Sequence, residues 1–331
     1  MKKKILILGG NGFIGQNITN LFANCEFNQT KYSIISTTKK QIDVLQKEKL
    51  DDFFREIIPN IVINCSGIVG SSLLNTNMNE YEIFTKNINI QTNILDCCKK
   101  YQVEKIIFFS TYRIFGENIN ENYNESNIHS TYDLTNNSGY LLSKKILHLQ
   151  LNLFQKHLDF PPTNANTNTN TKYICLLLPN IFGKFDSFEE NGRIVPAFIK
   201  KIANAKHNQT NLIINSNSNN QVNLICVEDI FLILEKCIQE EFNGENIIIF
   251  NEKSVLSLEN LAQLLKEEMD FKQEIVFTDT NINKNTNQKN NIMSPDLSKF
   301  HQLFPDFRFS ELRTSLQETI QYFYRMETGI S

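Results

Sequence analysis

Ile5-Leu6-Ile7-Leu8-Gly9-Gly10-Asn11-Gly12-Phe13-Ile14-Gly15 stands near the start of this 331-residue chain and decides how the rest of it is read. Four consecutive apolar residues suit a strand buried on both faces, and they end at once in a glycine-rich turn. Gly9, Gly12 and Gly15 fall three apart, and an apolar helical pattern over 13–24 follows them. Such spacing serves a tight turn, close approach of backbone to a pyrophosphate, and close packing of helix on strand; the helix N-terminus then receives the phosphates. The stretch implies a dinucleotide cofactor held by Gly9, Gly12, Phe13, Ile14 and Gly15. Lys2-Lys3-Lys4 ahead of the apolar run imitates a signal peptide, but the run is too short for one.

Downstream, short apolar runs alternate with longer helical patterns, which is the signature of βαβ units feeding a parallel sheet. The strands are expected at 5–8, 33–36, 61–64, 105–110 and 173–178, and the helices at 13–24, 50–57, 82–101 and 140–157. The fold class is α/β: a Rossmann-type doubly wound parallel sheet with a smaller C-terminal α/β substrate lobe interleaved with returning sheet strands. Residues 1–178 form the dinucleotide-binding domain and 179–331 the substrate lobe, with 222–256 returning to the first. Within it, 221–226 and 229–239 read as a strand and helix rejoining the main sheet. Amphipathic helices are expected over 257–269, started by Ser257, and 310–325. Asn/Thr-rich stretches at 160–171, 208–220 and 281–291 have too little apolar surface to pack and read as solvated insertions.

Composition narrows the function. A formal charge of -3 gives no general attraction to nucleic acid or to an anionic membrane, so any phosphate recognition is local. No apolar run reaches the roughly 18 residues of a spanning helix. The seven cysteines form no CxxC pair and several lie in apolar runs, which fits a reduced, cytoplasmic setting. The five histidines show no metal-ligand spacing; each reads as a surface or helix residue, and no metal is expected. Phe108-Phe109 and the phenylalanines over 304–309 read as core.

The second strand runs into Thr37-Thr38-Lys39-Lys40, where an acidic residue would otherwise bind a ribose 2′-hydroxyl. Hydroxyls and ammonium groups suit a 2′-phosphate, so the cofactor is read as NADP(H), with Asp43 at the adenine edge. Tyr140 and Lys144 are four apart, hence on one helical face, and Ser110 closes a strand whose C-terminal end meets that face. This set fits carbonyl reduction. Tyr140 gives a proton as hydride reaches the carbonyl carbon; Lys144 holds the nicotinamide ribose and draws the phenol toward working range; Ser110 binds the carbonyl oxygen.

With Cys65-Ser66-Gly67-Ile68-Val69-Gly70, Ser110-Thr111, Asn180-Ile181-Phe182-Gly183, Asp186, Phe188, Val195-Pro196, Val227-Glu228-Asp229 and Phe304 to Phe309, these residues resemble the extended short-chain dehydrogenase/reductases, and specifically the GDP-L-fucose synthase family, over nearly the full length. That family inverts two carbons flanking the ketone of GDP-4-keto-6-deoxy-mannose and then reduces the ketone with NADPH. The resemblance implies a nucleotide-sugar substrate, a homodimer, Ser66 and Gly67 at the cofactor, and Asn180, Arg193 and Lys201 at the substrate. The family's epimerase cysteine and histidine fall here at Tyr112 and Arg193. Arginine does not give up its proton in proteins, so Arg193 is no acid–base group. Lys184 and Phe185 replace a Pro-His pair, and Val222 replaces an arginine that contacts the diphosphate. Two further readings stand beside this one: reduction of another nucleotide 4-ketosugar, and an NADP-binding regulatory subunit without turnover.

Overall fold

The computed structural model describes residues 2–25, 30–69, 79–116, 123–129, 138–159, 171–278 and 294–329. The chain runs β1 (Lys3–Leu8), α1 (Phe13–Ala23), β2 (Tyr32–Thr37), α2 (Lys47–Ile57), β3 (Ile61–Asn64), α3 (Glu80–Lys100), β4 (Lys105–Thr111), α4 (Gly139–Asp159) and β5 (Lys172–Leu178). It continues through β6 (Asn180–Phe182), α5 (Ile194–Asn208), β7 (Leu212–Ile214), β8 (Gln221–Cys226), α6 (Val227–Gln239), β9 (Glu245–Ile248), β10 (Val255–Ser257), α7 (Leu258–Glu268), β11 (Ile275–Phe277), α8 (Ser298–Leu303) and α9 (Leu312–Thr328).

The main sheet has the order β2-β1-β3-β4-β5-β9, with every neighbouring pair parallel. Its central strands β1, β3, β4 and β5 carry apolar, buried runs because both faces are covered, whereas the edge strand β2 is mixed and only half-buried. Ile5 and Ile7 face one core with α1 and α6, whereas Leu6 and Leu8 face another with α2, α3 and α4. Phe22 of α1 meets Phe231 of α6 edge to face at 5.0 Å, a contact of about 1 kcal/mol beyond the area it buries. β1 sends its connections to β2 on one side and, by way of β2, to β3 on the other. This reversal of order opens a crevice above the C-terminal ends of β1 and β3.

A third core, between α5, α7, α9 and the small sheet β10-β8-β6, fills the second lobe. Two expectations are corrected there. Residues 221–226 do not rejoin the main sheet: β8 pairs parallel with β6 and antiparallel with β10, and what returns is α6 followed by β9. The alternation of β8 explains this, since Val222, Leu224 and Cys226 face the small-lobe core while Ile225 faces the main one. The Asn-rich 208–220 is not wholly solvated either. Leu212 and Ile214 turn inward from β7, which pairs with β11. Residues 160–170 and 281–291 lie outside the described residues. Phe108, Phe109 and Phe304 are buried, and Phe300 stacks on Phe309, so the aromatic stretches are core. Among the described residues no helix is long and apolar enough to cross a membrane.

Candidate active site

The crevice above β1 and β3 is lined by Gly9, Gly12, Lys39, Asp43, Ser66 and Gly67, with Cys65 beside them. Gly9 turns with φ +82°, and a Cβ there would lie 2.9 Å from the Ser66 nitrogen. At Gly15 a Cβ would come within 2.3 Å of the Gly9 carbonyl oxygen, so α1 can sit against the loop only with glycine in its first turn. Gly12 caps α1 without a side chain, and no acidic residue stands in the first turn. The positive end of the helix is therefore open to an anion. A dinucleotide fits this arrangement: the α1 N-terminus would hold its pyrophosphate, and Lys39 and Asp43, whose charges are 3.9 Å apart, line the same crevice. Thr37 is turned elsewhere. Its hydroxyl donates to the Ile7 carbonyl at 3.2 Å and is buried.

Helix α4 brings the next groups to the same cleft. It starts where the Gly139 N–H donates to Glu80 Oε2 of α3 at 2.6 Å, which fixes Tyr140 one residue on. Lys144 Nζ lies 5.7 Å from the centre of the Tyr140 ring and donates to the Phe109 carbonyl of β4 at 2.8 Å. Gly67 lies against the same ammonium group, which joins α4 to the cofactor crevice. Burial pushes the Tyr140 phenol up to about 12, while the charges of Arg113 and Arg193 pull it down. Burial also lowers Lys144, with Cys175 and Cys65 opposing. The phenol thus keeps its proton at neutral pH, and the expected lowering is outweighed by desolvation. Ser110 is buried, with its Oγ 2.9 Å from His148 Nε2. Thr111, the next residue, accepts the Arg113 N–H at 3.3 Å; among the described residues its own hydroxyl proton has no acceptor.

On the opposite wall, Arg193 precedes α5 as its N-cap residue. Its Nε lies 3.0 and 3.1 Å from the two carboxylate oxygens of Asp186, and Nη2 donates to Oδ1 at 2.6 Å. The guanidinium also stacks on the Phe13 ring at 4.5 Å. Burial raises the Asp186 carboxyl, and Arg193 draws it back. Tyr112 packs edge-on against Phe250 at 6.3 Å, and burial raises its phenol as well. Asn180 Nδ2 donates to the Asn223 carbonyl at 3.3 Å, and half-buried Lys201 makes no ion pair among the described residues. Val222 lies in the small-lobe core. Lys184 pairs with Glu318 of α9 at 2.9 Å, and Phe185 packs on Tyr322.

Residues 5–251 match the family model described as the NAD dependent epimerase/dehydratase family. The chain belongs to that family. This family member is 24% identical over 325 residues to the GDP-L-fucose synthase of Dictyostelium discoideum, covering 97% of this chain and 95% of the relative. In fold it is similar to a GDP-L-fucose synthetase from Naegleria fowleri bound to NADP, with TM-score 0.83, 22% identity and coverage of 98% of this chain and 94% of the other. A GDP-6-OMe-4-keto-L-xylo-heptose reductase from Campylobacter jejuni superposes with TM-score 0.81 at 17% identity, covering 98% of each chain.

The fold brings Tyr140 and Lys144 beside Gly67 and the glycine loop, with Arg193 stacked on Phe13 and near enough for its charge to act on the Tyr140 phenol. Sequence reasoning passed over Thr111, Arg113, His148 and the pairing of Asp186 with Arg193. One signal was available: His148 follows Lys144 by four residues and therefore shares its helical face.

Proposed function

We propose that the protein is a cytoplasmic, NADPH-dependent reductase of the ketone in a GDP-4-keto-6-deoxyhexose, and that it leaves the carbons flanking the ketone uninverted. One observation carries the second half: the guanidinium of Arg193 is held three ways by Asp186 where an acid–base group would have to work. Inversion needs one group to take a proton and another to return it on the opposite face. A guanidinium keeps its protons, and burial raises the phenol of Tyr112, whose ring packs edge-on against Phe250.

The reductive half is supported by Tyr140 and Lys144 beside the crevice. NADPH, when bound, supplies the hydride. Tyr140, protonated at neutral pH, gives its phenolic proton to the carbonyl oxygen, and the cations of Lys144, Arg113 and Arg193 then stabilise the phenolate. The Ser110 hydroxyl faces His148, so Thr111 is the better donor to that oxygen. Lys39, exposed at the crevice, takes the 2′-phosphate. Asn180 orients the sugar and Lys201 meets the diphosphate. The outer faces of α3 and α4 expose Tyr81, Leu149 and Leu153, which supports a homodimer through these helices.

Because Val222 stands where the resemblance expects an arginine at the diphosphate, a different nucleotide is the second reading. NADPH consumption with GDP-, UDP- and dTDP-linked 4-keto-6-deoxyhexoses separates them. Turnover with the GDP-sugar is expected; preference for another nucleotide supports the second reading. NADPH binding without turnover of any of the three identifies a regulatory subunit.

A further inference from the structure

His148 lies one helical turn beyond Lys144 on α4 and is fully buried. Its Nδ1 stands 2.8 Å from Asn246 Oδ1 on β9, and its Nε2 2.9 Å from Ser110 Oγ near the end of β4. An amide oxygen only accepts, so with Asn246 in this orientation Nδ1 carries a proton; the neutral ring then accepts the Ser110 hydroxyl proton at Nε2. Lys144 donates to the carbonyl of Phe109, the residue before Ser110. Helix α4 thus grips two consecutive residues of β4 with two side chains one turn apart, and the residue that follows is Thr111.

Core packing alone does not call for an imidazole here. Leu147 and Leu151 on the same helix are fully buried, and a further leucine would fill space without desolvating two ring nitrogens. What the polar chain supplies is register. A satisfied hydrogen-bonded network admits one placement of strand end against helix, whereas apolar contacts of similar volume tolerate repacking. We infer that His148 is a positioning residue for the reduction: through Ser110 and Asn246 it sets the spacing between the Tyr140 phenol and the Thr111 hydroxyl. The inference rests on the reductase reading above.

The test compares wild type with His148→Leu, His148→Gln and Ser110→Ala in kcat, ketosugar KM, NADPH Kd, melting temperature and the isotope effect with deuterated NADPH. A displacement near 1 Å costs on the order of 100-fold in rate, so His148→Leu should lower kcat by roughly 30- to 100-fold. KM and NADPH Kd should stay within about threefold, and the isotope effect should rise as hydride transfer becomes limiting. His148→Gln keeps a polar group toward Ser110 and should recover most of the loss. Should His148→Leu not fold, Ser110→Ala, which preserves packing, carries the test with an expected drop of about tenfold. Unchanged kcat per folded molecule in His148→Leu, or in Ser110→Ala if the former does not fold, overturns the inference while leaving the reductase reading intact. Wild-type protein that turns over none of the three ketosugars removes both.

Discussion

At the cofactor end of the cleft, α1 begins without a capping side chain and Lys39 stays largely exposed; at the sugar end, Arg193 is bound three times by Asp186 and Val222 is packed into the core. The first end leaves the N–H groups at the start of α1 uncapped and holds Lys39 only loosely, 3.9 Å from Asp43, as suits a site that receives an anion. The second ties polar groups to the protein itself, Lys184 to Glu318 and Asn180 to the Asn223 carbonyl, while Lys201 makes no ion pair among the described residues. Groups left open can take a ligand, whereas a guanidinium held by a carboxylate does not cycle a proton. On this contrast rests the claim that hydride transfer is retained and inversion is not.

The contrast can be broken at four points. Tyr140→Phe removes the proton donor and should lower kcat by about 10²- to 10⁴-fold with NADPH affinity unchanged; stopped-flow reduction and fluorescence titration check both. Activity persisting in that variant would move the acid elsewhere. Gly15→Val places a Cβ against the Gly9 carbonyl and should cost about 1–3 kcal/mol in urea unfolding, with NADPH binding lost alongside.

Arg193→Ala leaves the Asp186 carboxylate without its cation and should cost about 1–3 kcal/mol at neutral pH. The sign with pH follows from the raised carboxyl. Asp186 already sits above its ordinary value, and loss of Arg193 raises it further. The penalty is therefore fully present above the folded value and fades as acid protonates the group, so the two unfolding curves should converge below the ordinary aspartate range near pH 4. A gap that widens in acid contradicts the pairing. The smallest effect belongs to Lys39→Ala: an exposed cation contributes about 1 kcal/mol or less, so NADPH affinity should fall about fivefold and NADH affinity should not move.

Much of this was legible in the sequence because the central strands of the main sheet carry short apolar runs and the glycines report on backbone geometry directly. Tyr140 and Lys144 were legible for the same reason: a spacing of four on a helix is a statement about one face. The small lobe resisted. A strand such as β8, whose alternate residues face two different cores, carries no mark of which sheet it joins, and β7 is three residues long within an Asn-rich stretch. Ser110 and Thr111 show the limit most clearly. Adjacent hydroxyls on one strand point to opposite faces, and only His148, reached from another element, shows that the Ser110 hydroxyl is already engaged.

The most direct measurement is solvent-proton exchange at the sugar. GDP-4-keto-6-deoxy-mannose is incubated with the protein in deuterated water, first without NADPH and then with it, and the hexose carbons are followed by NMR. The locked guanidinium of Arg193 predicts no deuterium on either carbon beside the ketone, followed by NADPH-dependent reduction to a product that carries no carbon-bound deuterium. Deuterium at both flanking carbons before reduction would contradict it.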